Sequence, residues 1–251
     1  MRLVLPLLLA SAAPVLAVQT PAMAAEENSQ DAALLQFLDQ AFDARVALQP
    51  EAQTQLGFKT HYDRLDDYTD AAAVREQELV EQQLKDMHAR FRPEQLGGSA
   101  RVSYRLFEYD AQRRRESFAF RKLRFPVTTN GSPAGDIPVL LINNHKVDTV
   151  ADAEAYIARL RDTNRVMREV AAAMREQAAA GIIPNKVNFA PARADAQKIL
   201  VGAPFDGGPD STLMADFRKK VGALDAPAGV KDKLLSEASA ALTGPFREGY
   251  A

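Results

Sequence analysis

Three histidines, His61, His88 and His145, are the side chains of this sequence best suited to hold a metal ion or to move a proton near neutral pH. A helix that binds catalytic zinc presents two imidazoles four residues apart with a glutamate beside the first as general base. No two of the three histidines stand at such a spacing, and no H-E-x-x-H occurs, so no residue is assigned as catalytic or as a metal ligand. His88 reads as a surface or boundary residue. Cysteine is absent, which removes thiol catalysis, thiolate-bound zinc and disulfides. No serine lies in a G-x-S-x-G turn, and the glycines at 202, 207 and 208 lack the lysine and spacing of a phosphate loop.

Two charged stretches remain. Asp63, Asp66, Asp67 and Asp70 crowd together, but a calcium loop needs alternating oxygen ligands and a glycine at its turn, and neither is present. That stretch reads as a solvated loop with Asp70 capping the next helix. Arg113, Arg114, Arg115, Arg121, Lys122 and Arg124 form a basic run. Consecutive residues on a helix point apart, and Asp110 and Glu116 stand nearby, so ion-paired surface is expected rather than a nucleic-acid site. The balance of 31 basic and 33 acidic residues agrees with no nucleic-acid partner. In the irregular stretch 126–148, Asn143 and His145 are the polar groups assigned to a ligand-facing loop. The competing reading is a loop tucked over the core, with its polar groups hydrogen-bonded.

The elements that must position these groups follow from periodicity. Arg2 and an apolar run over residues 3–16 precede Ala22-Met23-Ala24, the pattern of a secretory signal cut after Ala24, with Ala17 or Ala25 as alternatives. The run is short for a bilayer and holds Pro6 and Pro14. A periplasmic or secreted protein, off the membrane once the signal is cut, is therefore expected; without cysteine, no lipid can be attached at the cleavage site.

Beyond the leader the spacing predicts an all-α fold, a multi-helix array with one long central helix. Leu35, Leu38, Phe42 and Val46 mark a helix over 31–48 that Pro50 stops. Ala73, Val80, Leu84, Met87 and Phe91 mark a second, ended by Pro93. The long helix is placed at 99–125, about 40 Å at 1.5 Å per residue. Pro126, Gly131, Pro133, Gly135 and Pro138 then predict an irregular connection, with 139–142 as a short strand or a buried loop. Thr149 and Asp152 have capping-box spacing and start a helix bearing Tyr156, Ile157 and Leu160. A separate helix carries Val166, Met167, Val170 and Met174 and stops at Gly181. Further helices are expected near 192–201, after Asp210 or Ser211, and around Leu234 and Leu235, with a stop and restart at Gly244-Pro245.

Three stretches carry a resemblance. They are Leu56-Gly57 through the run from His61 to Tyr68; Phe125-Pro126-Val127 through the run from Leu140 to Val147; and the run from Asp152 to Leu160. In that order they resemble the N-terminal half of a bacterial family, domain of unknown function 885 (DUF885), and Gly202-Ala203-Pro204-Phe205 with Phe217 and Lys219 continues the likeness. The resemblance implies a mostly helical protein of zincin-type metallopeptidase character, about twice this length, whose zinc motif lies in a C-terminal half. Residues 25–251 would then be the non-zinc-binding half, with no cofactor of its own, and a peptide substrate would be met through the other half. The alternatives are a stand-alone helical binding or scaffold protein, and an enzyme with an unrelated centre.

Overall fold

A computed structural model describes residues 29–251. The signal segment 1–24 and its cleavage point at Ala24 lie outside the described residues. Within them the chain is all-α, and its β-pairing consists of isolated bridges, Thr128 with Gly131 and Ala203 with Asp210.

The first three helices of substantial length make a small unit. α1 (Ser29–Val46) is followed by the single-turn-and-a-half α2 (Pro50–Gln55), then α3 (Asp70–Arg90) and α4 (Gly98–Phe118). Leu34, Phe37 and Ala41 of α1 meet Met87 and Phe91 from α3 and its end, and Ala100, Tyr104 and Phe107 of α4. α3 buries the predicted row of Val80, Met87 and Phe91, whereas α1 turns a different face inward from the predicted one. Leu35 and Phe42 stand largely exposed on α1, and α4 buries the side opposite Val102, Leu106 and Tyr109. Those three are 65%, 63% and 59% exposed and form an apolar stripe at helical spacing on the outer side of α4. α4 is also shorter than predicted: it ends at Phe118, and a 3-10 turn, Arg121–Leu123, replaces its last part.

The predicted irregular stretch contains a helix, α5 (Pro133–Asn143). Pro133 sits at the first turn, where a missing N–H costs nothing. Pro138 lies inside, where it removes the bond that Ala134's carbonyl would accept. That carbonyl is taken instead by the Tyr250 hydroxyl, so the helix survives its proline. Residues 139–142, expected as a short strand or a buried loop, are thus helix, with Leu140 and Leu141 buried in its inward face.

The long central helix is α6 (Val150–Ala179), 30 residues, and not the one predicted over 99–125. It begins on the capping box read from the sequence: Thr149 accepts from the Asp152 N–H at 3.1 Å, and the Asp152 carboxylate accepts from the Thr149 N–H at 2.9 Å. The two helices expected here are one. Along the continuous helix Asp162 accepts from the Leu65 N–H and Asn164 donates to Glu248, so its polar residues are met by other segments.

α7 (Phe189–Ile199), α8 (Thr212–Ala223) and α9 (Ala228–Ala241) follow, then a π turn at Leu242–Phe246 and the short α10 (Arg247–Tyr250). Ser211 caps α8 by accepting from the Met214 N–H. Ile137, Tyr156, Ile157, Leu160, Val166, Phe217, Leu234 and Phe246 fill the larger core, with α6 at its centre. Gly244 takes a non-helical conformation at the predicted stop, and the chain restarts as α10 against α6.

One glycine is required by close approach. Gly202 has φ +94, and a Cβ there would lie 2.7 Å from both the Pro209 carbonyl oxygen and the Ser211 nitrogen. Gly57 also has positive φ, at +85, but faces open space. Gly202→Ala is therefore expected to cost roughly 2–4 kcal/mol and Gly57→Ala only about 1 kcal/mol, the strain of the conformation alone. Urea unfolding of the two variants checks the order; equal costs would contradict the backbone contact.

Candidate functional site

The three stretches singled out by sequence meet at one buried point. α6 carries Arg159, whose side chain is wholly buried. Its guanidinium donates to the Arg64 carbonyl at 2.8 Å, to the Pro50 carbonyl at 3.1 Å and to His145 Nδ1 at 3.2 Å. It also lies over the Tyr62 ring, 5.2 Å from the centroid. The segments before α3, after α5 and along α6 are thereby held by a single side chain.

His145, 1% exposed, is the second half of this node. Its Nε2 lies 3.0 Å from the Asp152 carbonyl, which can only accept, while Arg159 at Nδ1 can only donate. The imidazole is accordingly neutral with its proton on Nε2. Tyr62 stacks on it at 3.9 Å and Tyr156 meets it edge-on at 5.2 Å. Burial first, and then the nearby charge of Arg159, push His145 down to about 3. Burial also lowers the Arg159 guanidinium from its ordinary value. Asn143, the other polar group assigned to this region, is exposed on the last turn of α5 and does not join the node.

Charged pairs surround the node. Lys59 bridges Asp148 and Asp152, both at 2.8 Å, and these two hydrogen bonds raise its ammonium to about 12. Glu51 and Asp66 cap each other's backbone: the Glu51 N–H donates to Asp66 at 2.9 Å and the Asp66 N–H to Glu51 at 3.1 Å. Burial raises both carboxyls above their ordinary range. Arg165 grips Asp162 and Glu169 and donates to the Leu65 and Asp66 carbonyls. The Leu65 N–H in turn donates to Asp162 and the Tyr68 N–H to Glu169.

The aspartate-rich stretch is held by separate partners. Asp67 pairs with Arg75 at 2.6 Å, and Asp70 pairs with Arg121 at 2.6 Å. Thr69, not Asp70, caps α3, accepting from the Ala72 N–H. Within the basic run, Arg114 pairs with Asp110 and Glu76, and Arg115 with Glu81. His88 is exposed and lies 2.7 Å from Glu108.

The donor set can be tested for zinc. Both His145 nitrogens are already bound, and no group of three or more His, Asp or Glu among the described residues could hold a metal ion. The residues present do not fit a zinc centre. Sequence reasoning missed Arg159, Tyr62 and Glu51; an arginine in the apolar i, i+3, i+4 row Tyr156, Arg159, Leu160, Thr163 was the signal available for the first.

What fold and node define is an all-helical protein in which a buried arginine–histidine clamp ties three chain segments together. The chain belongs to the bacterial family of unknown function DUF885, which it matches over residues 50–251. A protein of Colwellia psychrerythraea, its crystal structure described as that of a "putative lipoprotein", shares the fold with a TM-score of 0.67 at 18% identity. The match covers 89% of this chain and 40% of that one, so this chain spans well under half the length of the protein it resembles. No curated protein matches. No helix among the described residues is long and apolar enough to cross a membrane.

Proposed function

We propose that this chain is the non-catalytic helical portion of an exported protein of zinc-peptidase type, forming helical wall and substrate channel while metal and general base belong to a further portion. The observation that carries this reading is the length relation: 89% of the chain corresponds to only 40% of the Colwellia psychrerythraea protein. The uncovered apolar stripe of Val102, Leu106 and Tyr109 on α4 supports it, since such faces mark surfaces meant for contact. Export is supported by the leader pattern at 1–24 and, for the structural relative, by its description as a lipoprotein. The node then serves to fix the wall, holding the 50–68 segment on α6.

A stand-alone helical binding or scaffold protein is the second reading, favoured by the two filled cores and the capped helices. The DNA following the codon for Ala251 separates them: a continuation in any frame that encodes H-E-x-x-H supports the first, and its absence the second. Elemental analysis and a peptide-hydrolysis assay on the purified chain complete the test. Neither stoichiometric zinc nor turnover is expected; both together would overturn the two readings in favour of an independent centre.

A further inference from the structure

A cleft of about 290 Å³ opens between the start of α3, the turn after α4 and the last turns of α6. Its floor is apolar, built from Ala73, Pro126, Ala173, Ala180 and Ile182. Its walls are fixed in advance. Gln177 donates to the Lys122 carbonyl at 2.9 Å and the Arg124 carbonyl at 2.7 Å, and Arg121 holds Asp70 through two nitrogens. Lys122 also lines the cleft and shares Asp70 with Arg121, at 3.8 Å. Two other charges, Arg124 and Glu176, line it with no hydrogen-bond or ion-pair partner for either side chain among the described residues. A wider hollow beside Asp63 and Arg161 offers no such pair, because its Arg161, Asp162, Arg165 and Glu169 are all engaged with protein partners.

An apolar floor with a few polar groups at its edge is the usual form of a small-molecule site, and this volume lies at the small end of the usual ~300–1,000 Å³. The spare groups are one cation and one anion. A ligand with a single charge would satisfy one of them and leave the other facing it. A zwitterion with a short apolar side chain satisfies both. We propose that this cleft binds a free α-amino acid with an aliphatic side chain, its carboxylate on Arg124, its ammonium on Glu176 and its side chain on the floor of Ala73, Ala173 and Ile182. Arginine suits the carboxylate because its planar fork offers two parallel donors. This site is independent of the zinc-peptidase reading, since no residue of it belongs to the node or to a metal centre.

Isothermal titration calorimetry with L-leucine, isocaproate and isoamylamine tests it on the full chain. L-leucine is expected to saturate one site, and each singly charged analogue to bind at least about tenfold more weakly. Arg124→Gln should weaken L-leucine and isocaproate about tenfold while leaving isoamylamine unchanged; Glu176→Gln should weaken L-leucine and isoamylamine while leaving isocaproate unchanged. Ala173→Phe, which fills the floor, should abolish binding of all three. Both charged residues are exposed, so the two charge variants should melt like the parent protein. Absence of saturable heat with L-leucine, or binding to either charge variant with unaltered affinity, would overturn the assignment.

Discussion

Arg159→Ala is expected to lower the unfolding free energy by on the order of 4 kcal/mol, the largest effect of any single substitution outside the apolar core. Two partly buried backbone carbonyls and the buried His145 Nδ1 lose their donor at once. Each orphaned buried acceptor costs about 1–3 kcal/mol, and the void beneath the Tyr62 ring adds to that. Burying the guanidinium was itself costly, which is why the sum stays below the cost of three isolated losses plus a large cavity. Arg159→Lys keeps the charge but can present only a compact ammonium, not a fork reaching three acceptors, and should recover less than half the loss. Equilibrium urea unfolding of parent and variants gives both values. A loss below about 1 kcal/mol for Arg159→Ala would mean that the three segments are held by their apolar contacts and not by this side chain.

Most helices were legible, and so were the buried faces of α3, α6 and α8; α5 and the inward face of α1 were not. Helix starts with local chemistry came through: the Thr149–Asp152 box and Ser211 are settled by hydrogen bonds spanning three residues. Gly181, at φ +76 just past α6, stopped the helix as its type requires. Faces were misread where apolar residues surround a helix. α1 has two candidate rows, and tertiary packing chose Leu34, Phe37 and Ala41 over Leu35 and Phe42. α5 was missed because its two prolines argued for a loop, and the group that rescues it, the Tyr250 hydroxyl, lies 116 residues away in sequence. α6 was read as two helices, and the groups that meet the polar residues along its middle, Leu65, Asp66 and Glu248 among them, are remote in sequence. The node illustrates both limits. His145 was singled out as a chemically capable side chain, but its company of Tyr62, Tyr156 and Arg159 is long-range and fixes its role as a buried, neutral acceptor.

That neutrality has a pH signature. An unfolded histidine titrates near 6.5, whereas burial, with Arg159 as the lesser cause, holds His145 at about 3 in the folded protein. Between those values the unfolded chain binds a proton that the folded chain refuses. Stability therefore rises with pH across the interval: it is fully present above about 6.5 and drains away as pH falls toward the folded value. With one proton at stake the slope is about 1.4 kcal/mol per pH unit, so acidifying from about 7 to about 5 should cost roughly 2 kcal/mol. Glu51 and Asp66 work in the opposite direction, since carboxyls raised by burial gain stability when protonated. The salt-bridged Asp67, Asp70 and Asp152, held low, lose stability on acidification. Unfolded carboxyls titrate near 4, and the raised pair acts from there up to its folded values; it offsets part of the histidine's loss equally in the parent and in a variant lacking His145, so the difference in slope belongs to the histidine. His145→Gln offers a donor for the Asp152 carbonyl and an acceptor for Arg159 but has no proton to gain. The variant should be less stable overall, having lost the ring that stacks on Tyr62 at 3.9 Å, yet between pH 7 and pH 5 it should lose about 2 kcal/mol less stability than the parent. Urea unfolding at a series of pH values decides the matter on slope rather than level. An equal slope in parent and variant would place the titrating group elsewhere, and the node would then not hold its histidine neutral.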